Sequence, residues 1–375
     1  MTFEDWLVDH RSARAAAGLE RTLKPRQPSG DHIDLAGNDY LGLGHDPRIT
    51  RAAADAALRW GAGAGASRLV TGTLQLHSDL EERLATFTGQ SAALVLPTGY
   101  QANLAVVTAL TDRDTLIVSD AHVHASLIDA CRLARPGGLV VVPHNDPDAV
   151  ASALRDRALA RALVIVESVY SVLGDESPLE RLVEAVDRYG GVLVVDEAHA
   201  LGVAGVGGRG LLSAHGLTQR PDVVSTVTLS KALGAQGGAV LGSSLVVEHL
   251  VNVARPFIFA TGLAPAATGA AYEALAVLEA EPQLPQRARA LAIAMADRLG
   301  LPPPAGAVLS VPMPGPAEAL EAQAALAANS LWVGCFRPPS VPDGVSRLRL
   351  TASAALTDND ALRVLARLTE IRRRR

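Results

Sequence analysis

The sequence predicts an α/β fold, with a mostly parallel β-sheet in a large central domain and a smaller α/β domain in the C-terminal part. Short runs rich in β-branched residues alternate with amphipathic helical patterns, which is typical of layered α/β proteins. These runs are apolar almost without interruption, as expected of strands that helices cover on both faces. The chain has 375 residues, of which 49% are hydrophobic, enough for a large core and more than one lobe.

The first element is predicted to be an amphipathic helix that begins near Asp5 and is ended by Pro25, Pro28 and Gly30. An extended piece follows at residues 32–36. The strands of the central sheet are predicted at residues 92–97, 115–119, 139–143, 162–167, 191–197, 223–228 and 238–242. The main helical patterns between them cover residues 76–88, 101–110, 124–134 and 178–189.

The C-terminal part begins with a long helical stretch at 263–281 and a second helix that ends near residue 299. A segment rich in Pro and Gly follows at 301–316. Beyond it we predict a helix at 317–329, two extended pieces at 332–337 and 346–351, and a last helix. The predicted parts are residues 1–41 (N-terminal helix and extended segment), 42–277 (large domain) and 278–375 (small C-terminal domain).

Charge and hydropathy exclude some classes of function. The formal net charge is −5, which gives no reason to expect a nucleic-acid partner. The first residues are charged and lack the apolar stretch of a secretory signal. No apolar run approaches the roughly 18–20 residues that are needed to cross a bilayer. We therefore expect a cytoplasmic protein that binds neither nucleic acid nor a membrane.

Lysine is nearly absent from this sequence and occurs only at Lys24 and Lys231. A lysine amine can lose its proton and attack a carbonyl, whereas an arginine guanidinium stays protonated. Lys24 lies in a polar N-terminal stretch, which is typical of a surface charge. Lys231 follows a predicted strand in Thr-Leu-Ser-Lys-Ala-Leu-Gly, where Thr228 and Ser230 offer hydroxyls to a phosphate. This pattern predicts a lysine that holds pyridoxal 5′-phosphate (PLP).

The run Val-Val-Asp-Glu-Ala-His (194–199) ends another predicted strand in Asp196, with His199 three residues later. Ligands of open α/β sheets bind at the carboxyl ends of strands, and a carboxylate there keeps the PLP pyridine nitrogen protonated. Asp-Glu-Ala-His also occurs in nucleic-acid helicases, but those require a phosphate loop that neither lysine has. The H-E-x-x-H order of a zinc site is absent as well, so we expect no metal.

Two further segments complete the predicted cofactor site. Thr-Gly-Tyr-Gln-Ala-Asn (98–103) follows a strand, and the backbone N–H groups of a helix that begins at Gly99 would bind an anion. His124 follows the strand 115–119, so its flat imidazole could stack on the cofactor ring. The glycine-rich stretch 61–67 follows a helical pattern rather than a strand, which excludes a dinucleotide loop.

Seven segments, spread in order over almost the whole chain, make the sequence resemble the α-oxoamine synthases, which are PLP enzymes of fold type I. The segments are Asn-Asp-Tyr-Leu-Gly-Leu (38–43), Ser-Arg-Leu-Val-Thr-Gly (67–72), Gly-Tyr-Gln-Ala-Asn (99–103), His-Ala-Ser (124–126), Asp-Glu-Ala-His (196–199), Thr-Leu-Ser-Lys-Ala-Leu-Gly (228–234) and Arg-Leu-Arg-Leu-Thr (347–351). The resemblance implies the fold type I architecture of a PLP-dependent transferase.

The resemblance also implies roles for individual residues. Lys231 would hold the cofactor as a Schiff base and act as the catalytic base, with His124 and Asp196 as further catalytic residues. Asp196 would pair with the pyridine nitrogen, His199 with the ring hydroxyl, and His124 would stack on the ring. The implied cofactor-binding residues are Gly99, Tyr100, His124, Ser171, Asp196, His199, Thr228 and Lys231, with Glu167 as a weaker candidate. The implied substrate-binding residues are Arg21, Asn38, Arg349 and Thr351.

Within the family, Phe-Arg-Pro-Pro-Ser-Val-Pro-Asp-Gly (336–344) resembles the branch that condenses L-alanine with a pimeloyl thioester in biotin biosynthesis. That reaction releases CO2 and a free thiol, and the thioester is pimeloyl-CoA or a pimeloyl carrier protein. The resemblance further implies a homodimer. Two alternatives stay open: a sister activity such as glycine C-acetyltransferase or serine palmitoyltransferase, and a non-catalytic PLP-binding protein.

Overall fold

The structure, a computed structural model, describes residues 1–17, 19–27, 30–338 and 341–372. These residues fall into two units, Met1–His32 and Ile33–Arg375. The first unit contains one α-helix, which Thr2 and Asp5 cap by exchanging hydrogen bonds. The sheets and the remaining helices belong to the second unit. The domain boundaries after residues 41 and 277 stay a prediction.

Helices and strands alternate along the chain as the sequence predicts. The α-helices are α1 (Phe3–Ala16), α2 (Pro47–Trp60), α3 (Gln75–Thr88), α4 (Gly99–Ala109), α5 (Ala125–Ala134), α6 (Pro147–Arg155), α7 (Leu179–Tyr189), α8 (Leu211–Ala214), α9 (Ser244–Val253), α10 (Arg255–Ile258), α11 (Pro265–Ala280), α12 (Gln283–Leu299), α13 (Pro316–Ala327) and α14 (Asp358–Arg372). The β-strands are β1 (Ile33–Leu35), β2 (Ala92–Leu96), β3 (Thr115–Asp120), β4 (Gly138–Val142), β5 (Arg161–Glu167), β6 (Val192–Asp196), β7 (Val223–Thr228), β8 (Gly238–Gly242), β9 (Val308–Pro312), β10 (Leu331–Phe336) and β11 (Arg347–Thr351). No helix in the described ranges is both long enough and apolar enough to cross a membrane.

Seven of the described strands form the large sheet, in the order β2-β8-β7-β6-β5-β3-β4. The strands from β7 to β4 pair in parallel, whereas β8 is antiparallel to both of its neighbours. The predicted mostly parallel sheet is therefore confirmed. Because β2 and β7 both oppose β8, they run in the same direction, and the carboxyl ends of β2, β3, β5, β6 and β7 lie at one edge.

Four of the described strands form a smaller sheet, in the order β1-β10-β11-β9. Strand β1 pairs in parallel with β10, so that Ile33 lies opposite Leu331. The other two pairs are antiparallel. The extended piece predicted at residues 32–36 thus joins the C-terminal strands. Three residues used in the sequence analysis, Pro28, Pro339 and Ser340, lie outside the described residues.

The central strands are covered on both faces, and every residue of β3 and β7 is buried. Polar side chains stand where four of these strands end: Asp120 ends β3, Glu167 ends β5, Asp196 ends β6 and Thr228 ends β7, and all four are buried. Burying such groups is unfavourable unless they have partners. Their position at one edge of the sheet marks this edge as the place of a functional site.

Candidate active site

A cavity of about 180 Å³ opens at the carboxyl edge of the large sheet. Its wall combines the loops that follow β6 and β7 with the N-terminal ends of α4 and α5. The resemblance implies nine cofactor-binding residues, counting Glu167, and all of them except Ser171 line this cavity, namely Gly99, Tyr100, His124, Glu167, Asp196, His199, Thr228 and Lys231. The fold therefore brings together residues that are spread over more than a third of the chain.

Lys231 lies in the loop that follows β7, and its amine points at a histidine. The Nζ atom is 2.8 Å from His199 Nε2. Burial lowers the pKa of Lys231 to about 8, although the nearby acidic side chains of Asp196 and Glu167 oppose the shift. An amine with this pKa is partly unprotonated near neutral pH, which is the form that attacks a carbonyl or removes a proton.

Asp196 is held by two hydrogen bonds at the end of β6. Its Oδ2 accepts a 2.7 Å hydrogen bond from Asn103 Nδ2, and its Oδ1 accepts one of 2.9 Å from the backbone of Ala198. Asn103 is oriented in turn by Thr226, whose hydroxyl donates to Asn103 Oδ1 at 2.6 Å. These contacts stabilise a buried carboxylate that faces the cavity, as the partner of a cationic ring nitrogen must be.

Asn103 and Thr226 were not predicted to have a role at the site. Asn103 is the last residue of the segment Gly-Tyr-Gln-Ala-Asn (99–103), and it is a polar residue on the buried face of an apolar helix. That position is the signal that could have identified it, because a buried amide needs a partner. Thr226 carries no such signal, since threonine is an ordinary residue in a strand.

Glu167 lies beside Asp196 at the end of the neighbouring strand. Its side chain accepts a 2.9 Å hydrogen bond from the backbone N–H of Ser171. Burial and the charge of Asp196 raise the pKa of Glu167 to about 8. Glu167 therefore holds a proton near neutral pH, which lowers the negative charge of the site to that of Asp196.

His124 is the N-cap residue of α5 at the mouth of the cavity. Its Nδ1 accepts a hydrogen bond from the backbone N–H of Ser126 at 3.2 Å and lies 2.7 Å from the Ser126 hydroxyl. Burial lowers the pKa of His124. A neutral ring with a fixed orientation at this place is suited to stacking on a planar cofactor.

The hydroxyls of Thr228 and Ser230 form the side of the cavity where α4 begins, and their oxygens lie 2.7 Å apart. A Cβ atom added at Gly99 would come within 3.0 Å of the Thr228 Cβ and 3.2 Å of its Oγ1. Glycine thus keeps the space between the helix N-terminus and these hydroxyls open for an anion. Tyr100 borders the same space and donates a hydrogen bond to Asp129 of α5.

The other predicted site residues form a second cluster in the same unit. The Nε of Arg349 donates to the Ser171 carbonyl at 2.7 Å, and its Nη2 donates to Asn38 Oδ1 at 3.1 Å. The hydroxyl of Thr351 donates to the Gly37 carbonyl at 2.7 Å. Among the described residues, the side chains that line the Lys231 cavity do not include these four.

Arg21 is the remaining predicted substrate residue. It lies in the unit Met1–His32, in an exposed stretch without regular secondary structure. Its predicted contact with substrate stays a prediction.

A second cavity of about 420 Å³ adjoins the first and shares His124 with it. Ser171 lines this second cavity. Much of the wall is apolar, including the side chains of Ile128, Leu173 and Phe336. Its size and character are suited to an aliphatic chain.

Glu197, the second residue of Asp-Glu-Ala-His, has a structural role. It is buried, and its Oε1 accepts hydrogen bonds from the backbone N–H groups of Leu211 at 2.7 Å and Leu212 at 3.1 Å. Burial raises the pKa of Glu197 to about 7. The carboxyl therefore ties the loop after β6 to the start of α8.

Comparison with known proteins gives a consistent result. The family model for aminotransferase class I and II matches residues 30–368. The 8-amino-7-oxononanoate synthase of Mycolicibacterium gilvum (strain PYR-GCK) is 52% identical over 367 residues, which cover 98% of this chain and 96% of that relative. The 8-amino-7-oxononanoate synthase of Mycolicibacterium smegmatis (strain ATCC 700084 / mc(2)155) is 51% identical over 370 residues, with the same coverage of both chains.

Solved structures share the fold over nearly the whole chain. A serine palmitoyltransferase from S. paucimobilis, solved with PLP and myriocin bound, has a TM-score of 0.90 and 28% identity, and covers 98% of this chain and 97% of its own. The serine palmitoyltransferase of Sphingomonas wittichii has a TM-score of 0.88 and 30% identity, with the same coverage.

Proposed function

The chain belongs to the aminotransferase class I and II family, and from this premise we propose that it is a PLP-dependent acyltransferase of biotin biosynthesis. The proposed reaction is the decarboxylative condensation of L-alanine with pimeloyl-CoA or a pimeloyl carrier protein, giving 8-amino-7-oxononanoate, CO2 and the free thiol. The observation that carries the proposal is the buried Lys231 amine beside Asp196 and His199, in a chain about half identical to synthases of that name over 98% of its length.

The residues of the Lys231 cavity fit PLP. Lys231 would hold the cofactor aldehyde, Asp196 the pyridine nitrogen and His199 the ring hydroxyl, with His124 against the ring face. Gly99 and Tyr100 at the start of α4 would hold the phosphate together with Thr228, in the space that a Cβ at Gly99 would narrow. Ser171 would contact the cofactor from the adjoining cavity. The hydrogen-bond donors at the start of α4 and on Thr228 suit an anionic phosphate, and the carboxylate of Asp196 suits a cationic ring nitrogen.

The chemistry divides between the cofactor and the chain. Bound PLP supplies an electron sink for the negative charge that develops at the Cα atom of the amino acid. Asp196 would keep the proton on the ring nitrogen of the bound cofactor. The Lys231 amine removes the Cα proton, for which its pKa of about 8 is well placed.

Arg349 is proposed to bind the carboxylate of L-alanine. A guanidinium has five N–H donors, and the contacts with Ser171 and Asn38 use two of them. The remaining donors leave room for a paired hydrogen bond with a carboxylate. Asn38, Thr351 and Arg21 complete the proposed substrate contacts. The apolar wall of the second cavity is proposed to receive the acyl chain.

The test is thiol release from pimeloyl-CoA by the PLP-loaded protein, with L-alanine, glycine or L-serine offered separately. We expect release with L-alanine and formation of 8-amino-7-oxononanoate. Lys231→Ala serves as the inactive control and Lys231→Arg as its charge-matched partner, because arginine keeps the charge but cannot act as the base. Substantial turnover by either variant would refute the role of Lys231.

A sister activity is the second candidate, because the chain superposes on serine palmitoyltransferases with a TM-score of up to 0.90. Thiol release from palmitoyl-CoA in the presence of L-serine, without thiol release from pimeloyl-CoA in the presence of L-alanine, would favour the sister activity. No release from any pair, together with normal binding of PLP, would favour a carrier-protein thioester or a non-catalytic PLP-binding protein. Repeating the assay with a pimeloyl carrier protein separates those two outcomes.

A further inference from the structure

A continuous series of hydrogen bonds connects the amino-acid cluster with the catalytic lysine. Arg349 Nη2 is 3.1 Å from Asn38 Oδ1, which is 3.0 Å from the hydroxyl of Tyr40. That hydroxyl is 2.7 Å from His199 Nδ1, and His199 Nε2 is 2.8 Å from Lys231 Nζ. Tyr40 is the residue of this series to which no role has been assigned so far.

The direction of each hydrogen bond follows from which atoms can donate. A guanidinium only donates, so the Asn38 atom that faces Arg349 must be its oxygen. The same oxygen faces Tyr40, and therefore the Tyr40 hydroxyl gives its hydrogen to Asn38. Having only one hydrogen, Tyr40 Oη must act as the acceptor towards His199 Nδ1.

The protonation states of both rings agree with this direction. Burial raises the pKa of Tyr40 to about 12, so its hydroxyl keeps the hydrogen throughout the working pH range. Burial also lowers the pKa of His199 well below its usual value, and the charges of Lys231 and Arg349 act in the same sense. A neutral imidazole carries one hydrogen. In His199 this hydrogen lies on Nδ1, which donates a hydrogen bond to the Tyr40 hydroxyl oxygen.

We propose that Tyr40 is a positioning residue that fixes His199 in the Nδ1–H tautomer, so that Nε2 faces Lys231 as a hydrogen-bond acceptor. Within the part of the chain that the structure describes, the other hydrogen-bond contact of the His199 ring is with Lys231, and it does not set this choice, because a lysine amine can donate to Nε2 in either of its protonation states. The proposal deepens the proposed function and rests on it for its catalytic meaning. The tautomer itself does not depend on the activity.

The tautomer matters because it decides what His199 can do at the site. With Nε2 free of hydrogen, His199 accepts from Lys231 or from a hydroxyl, and it cannot hydrogen-bond to a neutral Lys231 amine as a donor. The lone pair of that amine is then left for the carbonyl or the proton that it is to attack. A histidine in the other tautomer would bind this lone pair and compete with the reaction.

The ring and the hydroxyl of Tyr40 have different roles and can be tested separately. Its ring is buried among the apolar residues of the largest core cluster. Tyr40→Phe keeps the ring and removes only the atom that accepts from His199. Tyr189→Phe makes the same chemical change near the end of α7 and serves as the matched control.

The first measurement is the ¹⁵N NMR spectrum of histidine-labelled full-length protein at a pH above 8, with and without PLP. The protein has 10 histidines, and His199→Gln identifies the signals of interest. We expect a protonated Nδ1 and an unprotonated Nε2 in the wild type. In Tyr40→Phe without PLP, where Lys231 carries a free amine, we expect the Nε2–H form to appear, because Nδ1–H has lost its acceptor and the neutral Lys231 amine can accept from Nε2–H.

The second measurement is steady-state kinetics with L-alanine. We expect Tyr40→Phe to lower kcat by about 10–100-fold, the range seen when the partner that orients a metal-binding histidine is removed. KM for L-alanine should change little, because Arg349 keeps its contact with the Ser171 carbonyl. Tyr189→Phe should match the wild type in both quantities.

The outcomes separate this inference from the proposed function. An Nε2–H tautomer in the wild type, or an unchanged tautomer in folded Tyr40→Phe, would overturn the inference whatever the activity. The expected tautomers in a protein that condenses no amino acid with any thioester would leave the inference intact and refute the function. If Tyr40→Phe does not fold, the wild-type spectrum alone still decides whether the Nδ1–H form is present.

Discussion

At the scale of single residues, Gly99 shows how the absence of a side chain shapes a binding site. It is the first residue of α4, and it faces the Thr228 side chain so closely that a Cβ would lie 3.0 Å from the Thr228 Cβ. Because its backbone does not have a positive φ, the requirement for glycine comes from space alone. Alanine can adopt the backbone conformation but would push Thr228 out of position.

We therefore predict that Gly99→Ala weakens PLP binding by roughly ten-fold, as expected for the loss of about one good phosphate hydrogen bond. The measurement is a titration of cofactor-free protein with PLP, followed by visible absorbance. Gly63→Ala is the matched control, because an added Cβ there meets no atom within 4 Å and the backbone is equally compatible. Equal PLP affinity of the two variants would show that the space beside Gly99 does not hold the phosphate.

Residues differ in how far the sequence predicts them. Lys231 and Asp196 are predictable because each follows a recognisable strand and because its chemistry is rare at such a place. Tyr40 is not, since its partner His199 is 159 positions away and only the folded chain shows their contact. Asn103 is an intermediate case, because its polarity on an apolar helix signals a buried partner without saying that the partner is Asp196.

At the scale of elements, His144 connects two segments on which the site depends. Its Nδ1 is 3.0 Å from Asp120 at the end of β3, and its Nε2 is 2.9 Å from Asp175 in the segment between β5 and α7. Ser171, whose carbonyl accepts from Arg349, lies in the same segment. The rings of His122 and Tyr170 also pack on His144, with centroids 4.6 Å and 4.3 Å away.

This contact gives the fold a pH dependence with a definite sign. Burial opposes the charged form of His144, but the hydrogen bonds with Asp120 and Asp175 prevail and raise its pKa to about 9. Because the pKa of His144 is higher in the folded chain than the value of about 6.5 in the unfolded chain, protonated His144 stabilises the fold. This contribution is complete at a pH below about 6.5 and is lost as the pH rises through about 9. The window for His144 is therefore pH 6.5–9, while the lowered pKa of Asp120 acts only in acid.

We predict that His144→Gln lowers the free energy of unfolding by about 1–3 kcal/mol at pH 6, since it removes a charged partner of two carboxylates. The difference from the wild type should shrink towards pH 10, where His144 is neutral. Urea unfolding at several pH values measures both quantities, and the subtraction cancels groups common to the two proteins. A difference that stays constant from pH 6 to pH 10 would contradict an ion-pair contribution.

The alternation of strands and helices is predictable because strands that are buried on both faces give short apolar runs. The direction of β8 is not evident from such a run, since an apolar strand looks the same in either orientation. The connection carries more information: residues 229–237 are too few for the helical crossover that parallel strands need. That length could have identified β8 as antiparallel, which the sequence analysis did not use.

At the scale of the whole molecule, pairing between distant parts of the chain is hardest to predict. The pairing of β1 with β10 is an example, because three residues of strand carry no information about a partner some 300 positions further along. The sequence predicts the extended piece but assigns it to the N-terminal segment. Its place in the sheet of the C-terminal strands follows only from tertiary contacts.

The oligomeric state is the remaining prediction at this scale. Leu69 and Val70 are 52% and 73% exposed in the helical turn Arg68–Gly72, although this turn is anchored by a largely buried ion pair between Arg68 and Glu81 at 2.9 Å. Two adjacent apolar side chains exposed on a turn that is anchored in this way favour a surface that contacts another chain. We therefore predict a homodimer, as the family resemblance also implies.

Light scattering on the PLP-loaded protein should give twice the chain mass of 38.9 kDa. The resemblance also implies that the active sites lie at the subunit interface, so we predict that thiol release and mass fall together on dilution. Replacing both Leu69 and Val70 by serine should move this transition to a higher protein concentration. The matched control replaces Leu58, which is 86% exposed on α2, and should leave the transition where it is. A monomeric mass with full activity at every concentration would exclude the dimer.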